Sequence, residues 1–154
     1  MTIGRFFLFS LFFAFVVPFA VPAEDRDTAR TFPPQAIFAA AYRGDAETVR
    51  GILAAGVDVD ARSASGETAL HFAMFPKNLT VARLLLDYGF DPNAIAARNG
   101  YTPLHNAVAF DNADAARLLL QYRANRNIRS LNGLTPFEKA RREGKRELVL
   151  LLYR

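Results

Sequence analysis

Cysteine is absent from this chain, and its absence removes several classes of function. Without thiols the fold cannot rely on disulfide bonds, even in an oxidising compartment. Thiol catalysis and cysteine-ligated metal sites are excluded as well. Histidine is nearly as scarce, because His71 and His105 are the only side chains able to act as general acids or bases near neutral pH.

These two histidines lie 34 residues apart, at the same place in two copies of a repeated motif. No serine or carboxylate stands near them at the spacing of a nucleophile or ligand, and no third metal ligand recurs with them. The glycines form no phosphate-binding motif of the nucleotide-binding types. We therefore expect no catalytic residue, no metal and no cofactor, and we predict that the protein is not an enzyme.

Lysine is also rare, since 16 of the 19 basic residues are arginine, the side chain better suited to bidentate contacts with carboxylate or phosphate. Residues 24–116 contain 8 basic and 12 acidic residues, whereas residues 117–154 contain 10 basic and 3 acidic ones. The basic end contains a cluster formed by Lys139, Arg141, Arg142, Lys145 and Arg146. This cluster is either a charged cap that keeps the protein soluble or a site for an acidic partner.

One long apolar run is present, at residues 6–20, after the single positive charge of Arg5. Small or tolerated residues follow and then an acidic, polar stretch, an order typical of a secretory signal peptide with cleavage after Ala23. The alternative is a retained membrane anchor, because the run approaches the lower limit of about 17 residues for a spanning helix. We predict a signal peptide at 1–23, a linker at 24–34, a folded domain at 35–154, and a periplasmic or secreted protein.

Three stretches of the chain repeat one motif, at residues 66–71, 100–105 and 133–138, spaced 34 and then 33 residues apart. In the middle copy Thr102 is placed to cap a helix, and Pro103 stands at the first helical position, where its missing N–H costs nothing. Leu104, Ala107 and Val108 then form one apolar stripe. After a polar break, a second helix is predicted from about residue 113 to 122. Helices this short are marginal alone, so the units must stack to bury their apolar faces.

The Thr-Pro-Leu-His sequence at 102–105, the leucine pair after it, the Asp/Asn-rich turn and the period near 33 resemble the ankyrin repeat. The resemblance implies an all-α solenoid of helix–turn–helix units joined by short β-turn fingers, present as a monomer. Four repeats can be placed, at about 32–62, 63–96, 97–129 and 130–154. It also implies that the motif histidine hydrogen-bonds within its own repeat.

Several residues depart from the family pattern. Lys77 and Asp111 replace the glycine between the two helices of a unit, and we expect the asparagine that follows each to adopt the left-handed conformation. Gly51 replaces a core leucine. Pro76 should end the first helix of its unit early.

Proteins with this resemblance bind other proteins through the fingers and the exposed face of the first helices. Mapped onto this chain, the predicted partner-binding residues are Tyr42, Arg43, Arg62, Glu67, Phe75, Ile95, Arg98, Tyr101, Phe110, Arg129, Leu134, Arg141 and Arg142. Tyrosine, phenylalanine and arginine dominate this set, and such residues are enriched at protein–protein interfaces.

The expected function is therefore a non-enzymatic binding module that regulates, or protects against, a partner protein with an acidic surface. We expect neither nucleic-acid binding nor stable membrane insertion after signal cleavage. Two alternatives remain open at this point. One is a binder of anionic envelope phosphates that uses the basic C-terminal repeat, and the other is an enzyme that depends on His71 or His105.

Overall fold

The computed structural model describes residues 32–33, 35–75 and 79–153. The predicted signal peptide, most of the predicted linker, Pro76, Lys77 and the asparagine after it, Asn78, lie outside the described residues. Regular structure in the described part is α-helical, and no helix there has the length and apolar character needed to cross a bilayer. The helices found in it are α1 (Ala36–Arg43), α2 (Ala46–Ala54), α3 (Ala69–Phe72), α4 (Thr80–Tyr88), α5 (Pro103–Ala109), α6 (Ala113–Gln121), α7 (Pro136–Arg142) and α8 (Arg146–Leu152).

Consecutive helices pack in pairs, α1 with α2, α3 with α4, α5 with α6 and α7 with α8. The first helices of the pairs also pack on one another in chain order and form an inner layer. The second helices form an outer layer, in which α2 contacts α4 and α6 contacts α8. Three connecting segments, here called the first, second and third finger, run between the pairs at residues 55–68, 89–102 and 122–135. The predicted helix–turn–helix solenoid is confirmed.

The core lies between the two helix layers. The predicted stripe of Leu104, Ala107 and Val108 is fully buried. Leu85 on α4 and Leu119 on α6, both in the outer layer, are fully buried as well. Each large aliphatic side chain buried in this way contributes roughly 1.5–3 kcal/mol. Because each helix pair is short, most of its apolar contacts come from the neighbouring pairs.

The repeated motif starts the inner helices as the sequence predicts. Thr102 is the N-cap of α5, its hydroxyl accepts a hydrogen bond from the backbone N–H of His105, and Pro103 occupies the first turn. At the start of α7, Thr135 accepts from the N–H of Glu138 in the same way. These bonds satisfy N–H groups that a helix start otherwise leaves without partners.

The expectation for the turn between α5 and α6 was wrong. Asp111 itself adopts the left-handed conformation, with φ 54°, whereas Asn112 has φ −104° and is the N-cap of α6. The Oδ1 atom of Asn112 accepts from the N–H of Ala115, and its Nδ2 atom donates to the carbonyl of Met74 in the preceding pair. These two bonds require Asn112 at the cap, so the strained backbone falls on Asp111.

The inner helix that begins in the first copy of the repeated motif is short. Helix α3 has four residues and ends at Phe72, whereas α5 and α7 have seven each. An early end to this helix is what the sequence predicts.

The missing core leucine of the first pair is replaced by an aromatic ring. A Cβ atom built on Gly51 of α2 would lie 3.3 Å from the ring of Phe32, which is partly buried and packs against the core. Glycine at this position therefore makes room for a residue that precedes the first helix.

Candidate partner-binding surface

The inner face consists of the exposed surface of α1, α3, α5 and α7 together with the fingers. Most of the predicted partner-binding residues are exposed there, while three that lie within the repeated motif are half-buried. The exposed ones are Tyr42, Arg43, Arg62, Phe75, Ile95, Arg98, Phe110, Arg129, Arg141 and Arg142. The half-buried ones are Glu67, Tyr101 and Leu134.

Three of the exposed side chains form one continuous row, here called the aromatic row. Tyr42 stacks on Phe75 with ring centroids 4.3 Å apart and an interplanar angle of 14°. Phe75 meets Phe110 edge to face, with centroids 5.2 Å apart and an angle of 88°. The rings come from the ends of three successive inner helices and remain 45%, 45% and 42% exposed. Tertiary stacking thus places side chains more than thirty positions apart in the chain on a single surface.

Arg98 stands at the rim of a cleft between α1, α3 and the first two fingers, here called the finger cleft. Its apolar side is formed by Phe38 and Phe72, whose ring centroids are 5.6 Å apart. Ser63 and Ser65 contribute polar atoms from the first finger. The Arg98 side chain is exposed, and no carboxylate of the described residues pairs with it. An arginine beside an apolar cleft can stack on a partner while it binds a carboxylate.

Two other predicted arginines brace the fingers. The Nη1 atom of Arg62 donates to the carbonyl of Gly66 at 3.4 Å, and that of Arg129 donates to the carbonyl of Gly133 at 2.5 Å. Arg129 also pairs with Glu138 at 2.7 Å. Each of these arginines precedes the motif glycine by four residues, so this recurrence in the sequence indicates a structural role that the predicted binding set does not include.

The variable residues inside the motif join neighbouring repeats. Tyr101 stacks on His105 with centroids 5.2 Å apart, and its hydroxyl lies 3.2 Å from the Lys139 ammonium. Glu67 accepts hydrogen bonds from Ser65 and from the amide of Asn106 in the next pair. These side chains therefore stabilise the stack as well as contributing to the inner face.

The basic cluster of the last pair is smaller than its sequence indicates. Lys139 is only 6% exposed and pairs with Glu143 at 2.5 Å. Burial opposes its charge, but the Glu143 and Tyr101 contacts outweigh burial and raise the pKa of Lys139. Lys145 pairs with the same carboxylate at 3.1 Å and donates to the carbonyl of Ala109 at 3.0 Å.

The arginines of this cluster remain on the surface. Arg141 and Arg142 line a cleft with Leu134 and Glu138, here called the arginine cleft. Arg146 is exposed on α8, and none of these three arginines forms an ion pair with a described residue. Among the described residues of this helix pair, the cations without an ion-pair partner are therefore arginines.

The motif histidines are fully buried, and both ring nitrogens of each have partners. In His105, Nδ1 accepts from the backbone N–H of Thr102 at 3.2 Å, and Nε2 lies 3.0 Å from the carbonyl of Leu134 in the next finger. His71 repeats this arrangement with Thr68 and with the carbonyl of Tyr101. An acceptor at Nδ1 and a donor at Nε2 define one neutral tautomer.

The motif histidines thus form one hydrogen bond more than the resemblance implies. The expected bond within the repeat is present at Nδ1, but Nε2 extends the same side chain to the following finger. Burial is the main cause of a lowered pKa for both rings, because the positive form loses its hydration. Among the described residues, moreover, no group of three or more His, Asp or Glu side chains is arranged to hold a metal ion.

We expect the protein to lose stability as the pH falls from 7.5 to 5.5. The folded-state pKa of each histidine lies below its ordinary value of 6.5, so the unfolded chain binds more protons below that pH. The stabilisation is complete above pH 6.5 and is lost as the pH falls, by at most about 1.4 kcal/mol per pH unit for each ring. Urea unfolding across this range measures the slope.

The matched control is the single variant His105→Gln, which keeps the capping bond and whose stability should vary about half as steeply with pH in this window. The carboxyl groups with lowered pKa values, those of Asp45, Glu138 and Glu143, contribute a pH dependence only below about 4.5. A pH slope of equal size in the variant would contradict the assignment to the histidines.

Comparison with known proteins agrees with this architecture. A family model described as ankyrin repeats (3 copies) matches residues 15–96, more than half of the chain. A second model, described as ankyrin repeats (many copies), matches residues 73–120. The chain belongs to the ankyrin-repeat family. Ankyrin repeats generally mediate protein–protein interactions, and proteins built from them are typically non-enzymatic interaction modules.

Two curated proteins share part of the sequence. The palmitoyltransferase akr1 of Schizosaccharomyces pombe is 37% identical over 60 residues, which cover 38% of this chain and 9% of that protein. The L-asparaginase of Dirofilaria immitis is 44% identical over 52 residues, which cover 34% of this chain and 9% of that protein. Each match thus spans less than a tenth of the relative's length and is confined to its ankyrin region.

Proposed function

We propose that this protein is an exported, bacterial-type module of four ankyrin repeats that binds another protein through its inner face. In this proposal residues 1–23 direct export and are removed, residues 24–34 form a linker, and residues 35–154 fold in the periplasm or outside the cell as a monomer. The module performs no chemistry of its own. It regulates, or protects against, a partner by covering an acidic part of the partner's surface.

The observation that carries this proposal is the aromatic row beside arginines that have no ion-pair partner among the described residues. Tyr42, Phe75 and Phe110 expose nearly half of their surface, which is unfavourable in water unless a partner covers it. Arg98 in the finger cleft and Arg141 in the arginine cleft provide donors for carboxylates. Aromatic residues and arginine are also the types that contribute most of the energy at protein interfaces.

Removing part of this surface should abolish partner capture. The double variant Arg98→Ala, Phe110→Ala removes one exposed arginine and one exposed ring from the inner face. We expect it to lose a protein that the unmodified chain retains from an envelope extract, at a loss of about tenfold or more in affinity. The measurement is capture on immobilised protein followed by titration of the purified partner.

The matched control is Arg50→Ala, Leu150→Ala, which removes one exposed arginine and one exposed apolar residue from the outer helices α2 and α8. It should retain the partner. Equal binding by both double variants would contradict an inner-face interface.

Arg141, Arg142 and Arg146 favour one alternative, a binder of anionic envelope phosphates. Binding of this kind depends on charge alone and should disappear between low and moderate salt. An interface with buried aromatic side chains should persist. Sedimentation with vesicles that contain anionic lipid, at about 20 and 200 mM salt, separates the two.

An enzyme that depends on His71 or His105 receives less support. Both rings are fully buried and both nitrogens of each ring are already bonded, so no reacting group can reach them without opening the stack.

A further inference from the structure

The aromatic row ends in a cleft whose chemistry differs from the rest of the inner face. This cleft, here called the row-end cleft, lies between the rings of Phe75 and Phe110 and the starts of α6 and α8. Its polar side chains are acidic or neutral, unlike those of the finger cleft and the arginine cleft, which contain arginine. It is lined by Phe75, Phe110, Asp111, Asn112, Ala113, Asp114 and Glu147.

The chain itself shows that a guanidinium fits beside this cleft. Arg117 on α6 bridges two of its carboxylates, at 2.8 Å to Asp114 and 2.6 Å to Glu147. This ion pair joins the third helix pair to the fourth. One guanidinium is thus shared by two carboxylates, and further acceptor positions on both remain exposed to solvent.

Asp111 provides a third carboxylate, which has no ion-pair partner among the described residues. It is exposed and held by a left-handed backbone directly after Phe110. Lys145, which reaches the residues just before Phe110, is bound to Glu143 and to the carbonyls of Val108 and Ala109. The row-end cleft therefore combines two exposed aromatic rings with more carboxylates than cations.

We propose that the row-end cleft binds a cationic side chain, an arginine, of the partner protein. The guanidinium plane would lie against the ring of Phe110 and pair with the carboxylate of Asp111, while its aliphatic stem covers Phe75. This inference rests on the proposed function, in which a protein occupies the inner face. Because Arg98 lies in the finger cleft and the carboxylates in the row-end cleft, the two opposite charges would favour one orientation of the partner.

The test uses a small probe and requires no partner. N-acetyl-arginine amide is titrated into the purified chain, and the aromatic resonances of Phe75 and Phe110 are followed by NMR. N-acetyl-citrulline amide is the matched control, because it has nearly the same shape without the charge. We expect saturable shifts at these two rings with the arginine probe and binding about fivefold weaker with citrulline.

Two variants of the chain assign the contacts. Phe110→Leu keeps an apolar side chain but removes the ring, and Asp111→Asn removes the charge but keeps a residue that tolerates the left-handed conformation. Each should weaken the arginine probe about two- to fivefold. Glu47→Gln, which removes an exposed carboxylate on α2, should leave the binding unchanged.

Equal binding of the two probes, shifts located away from these rings, or no effect of either variant would overturn the assignment. Such a failure would leave capture of a partner through Arg98 and Phe110 untouched. If the chain captured no partner protein but bound the arginine probe selectively, the proposed function would be rejected and the row-end cleft would remain an arginine-binding site.

Discussion

Replacing Gly100 with alanine should lower the free energy of unfolding by about 3 kcal/mol, whereas the same change at Gly133 should cost about 1 kcal/mol. The two glycines occupy the same place in successive motifs and have φ values of 72° and 73°, so the backbone cost of a side chain is the same. Their surroundings differ. A Cβ atom on Gly100 would lie 2.6 Å from the backbone nitrogen of Leu131, but one on Gly133 meets nothing within 4 Å.

The extra cost at Gly100 comes from the contact between fingers. The N–H of Leu131 donates to the carbonyl of Asn99 at 3.0 Å, which joins the third finger to the second. A methyl group on residue 100 must push these backbones apart and weaken that bond. Urea unfolding of both variants at pH 7.5 gives the two values, and a similar loss for both would show that the fingers separate without cost.

The substitution His105→Ala should lower the free energy of unfolding by about 4 kcal/mol. It leaves the N–H of Thr102 without its acceptor, at a cost of about 1–3 kcal/mol. It also removes one hydrogen bond to the carbonyl of Leu134, worth about 1 kcal/mol, although this carbonyl still accepts from Ser130. The space left by a ring that is 0% exposed adds a cavity penalty.

The variant His105→Gln separates the two bonds. Glutamine at this position of a capping box can accept from the N–H of Thr102, but its side chain cannot also reach the next finger. We expect it to recover roughly half of the lost stability, measured by urea unfolding. A different result would contradict the structural role of His105. If His105→Ala abolished a catalytic activity and left the unfolding midpoint unchanged, the enzyme alternative would be supported.

The helices and their starts could be predicted because the forces that form them are local. Thr102, Pro103 and Leu104 define a cap, a first turn and a buried stripe within a few residues of chain. The period near 33 then predicts that such units stack, since none is stable alone. The confirmed fold and family follow from these short-range signals.

The same local reasoning failed at Asp111 and Asn112. An asparagine tolerates the left-handed conformation, so it is the better candidate when the turn is considered alone. In the folded protein the amide of Asn112 bonds the carbonyl of Met74, 38 residues away, and this contact keeps Asn112 at the cap. A long-range hydrogen bond outweighed the local backbone preference.

The thirteen predicted partner-binding residues stay predictions, but the structure separates them by environment. Arg98 and Phe110 face solvent, whereas Arg62 and Arg129 donate to finger carbonyls and Tyr101 is packed between His105 and Lys139. In the sequence all of them occupy variable positions of the same kind. Their different surroundings arise from contacts with the next repeat, which the pattern within one repeat does not contain.

The sequence by itself determined the repeat, the helix starts, the buried stripes and the family, because capping, turn chemistry and apolar periodicity act over a few residues. Only the tertiary structure decided which charges remain available. Lys139 contacts Tyr101, Lys145 donates to the carbonyl of Ala109, Arg117 joins α6 to α8, and the aromatic row exists only where three inner helices meet. Most of these contacts join residues about 30 to 40 positions apart, one repeat along the chain, so they form only when the units stack.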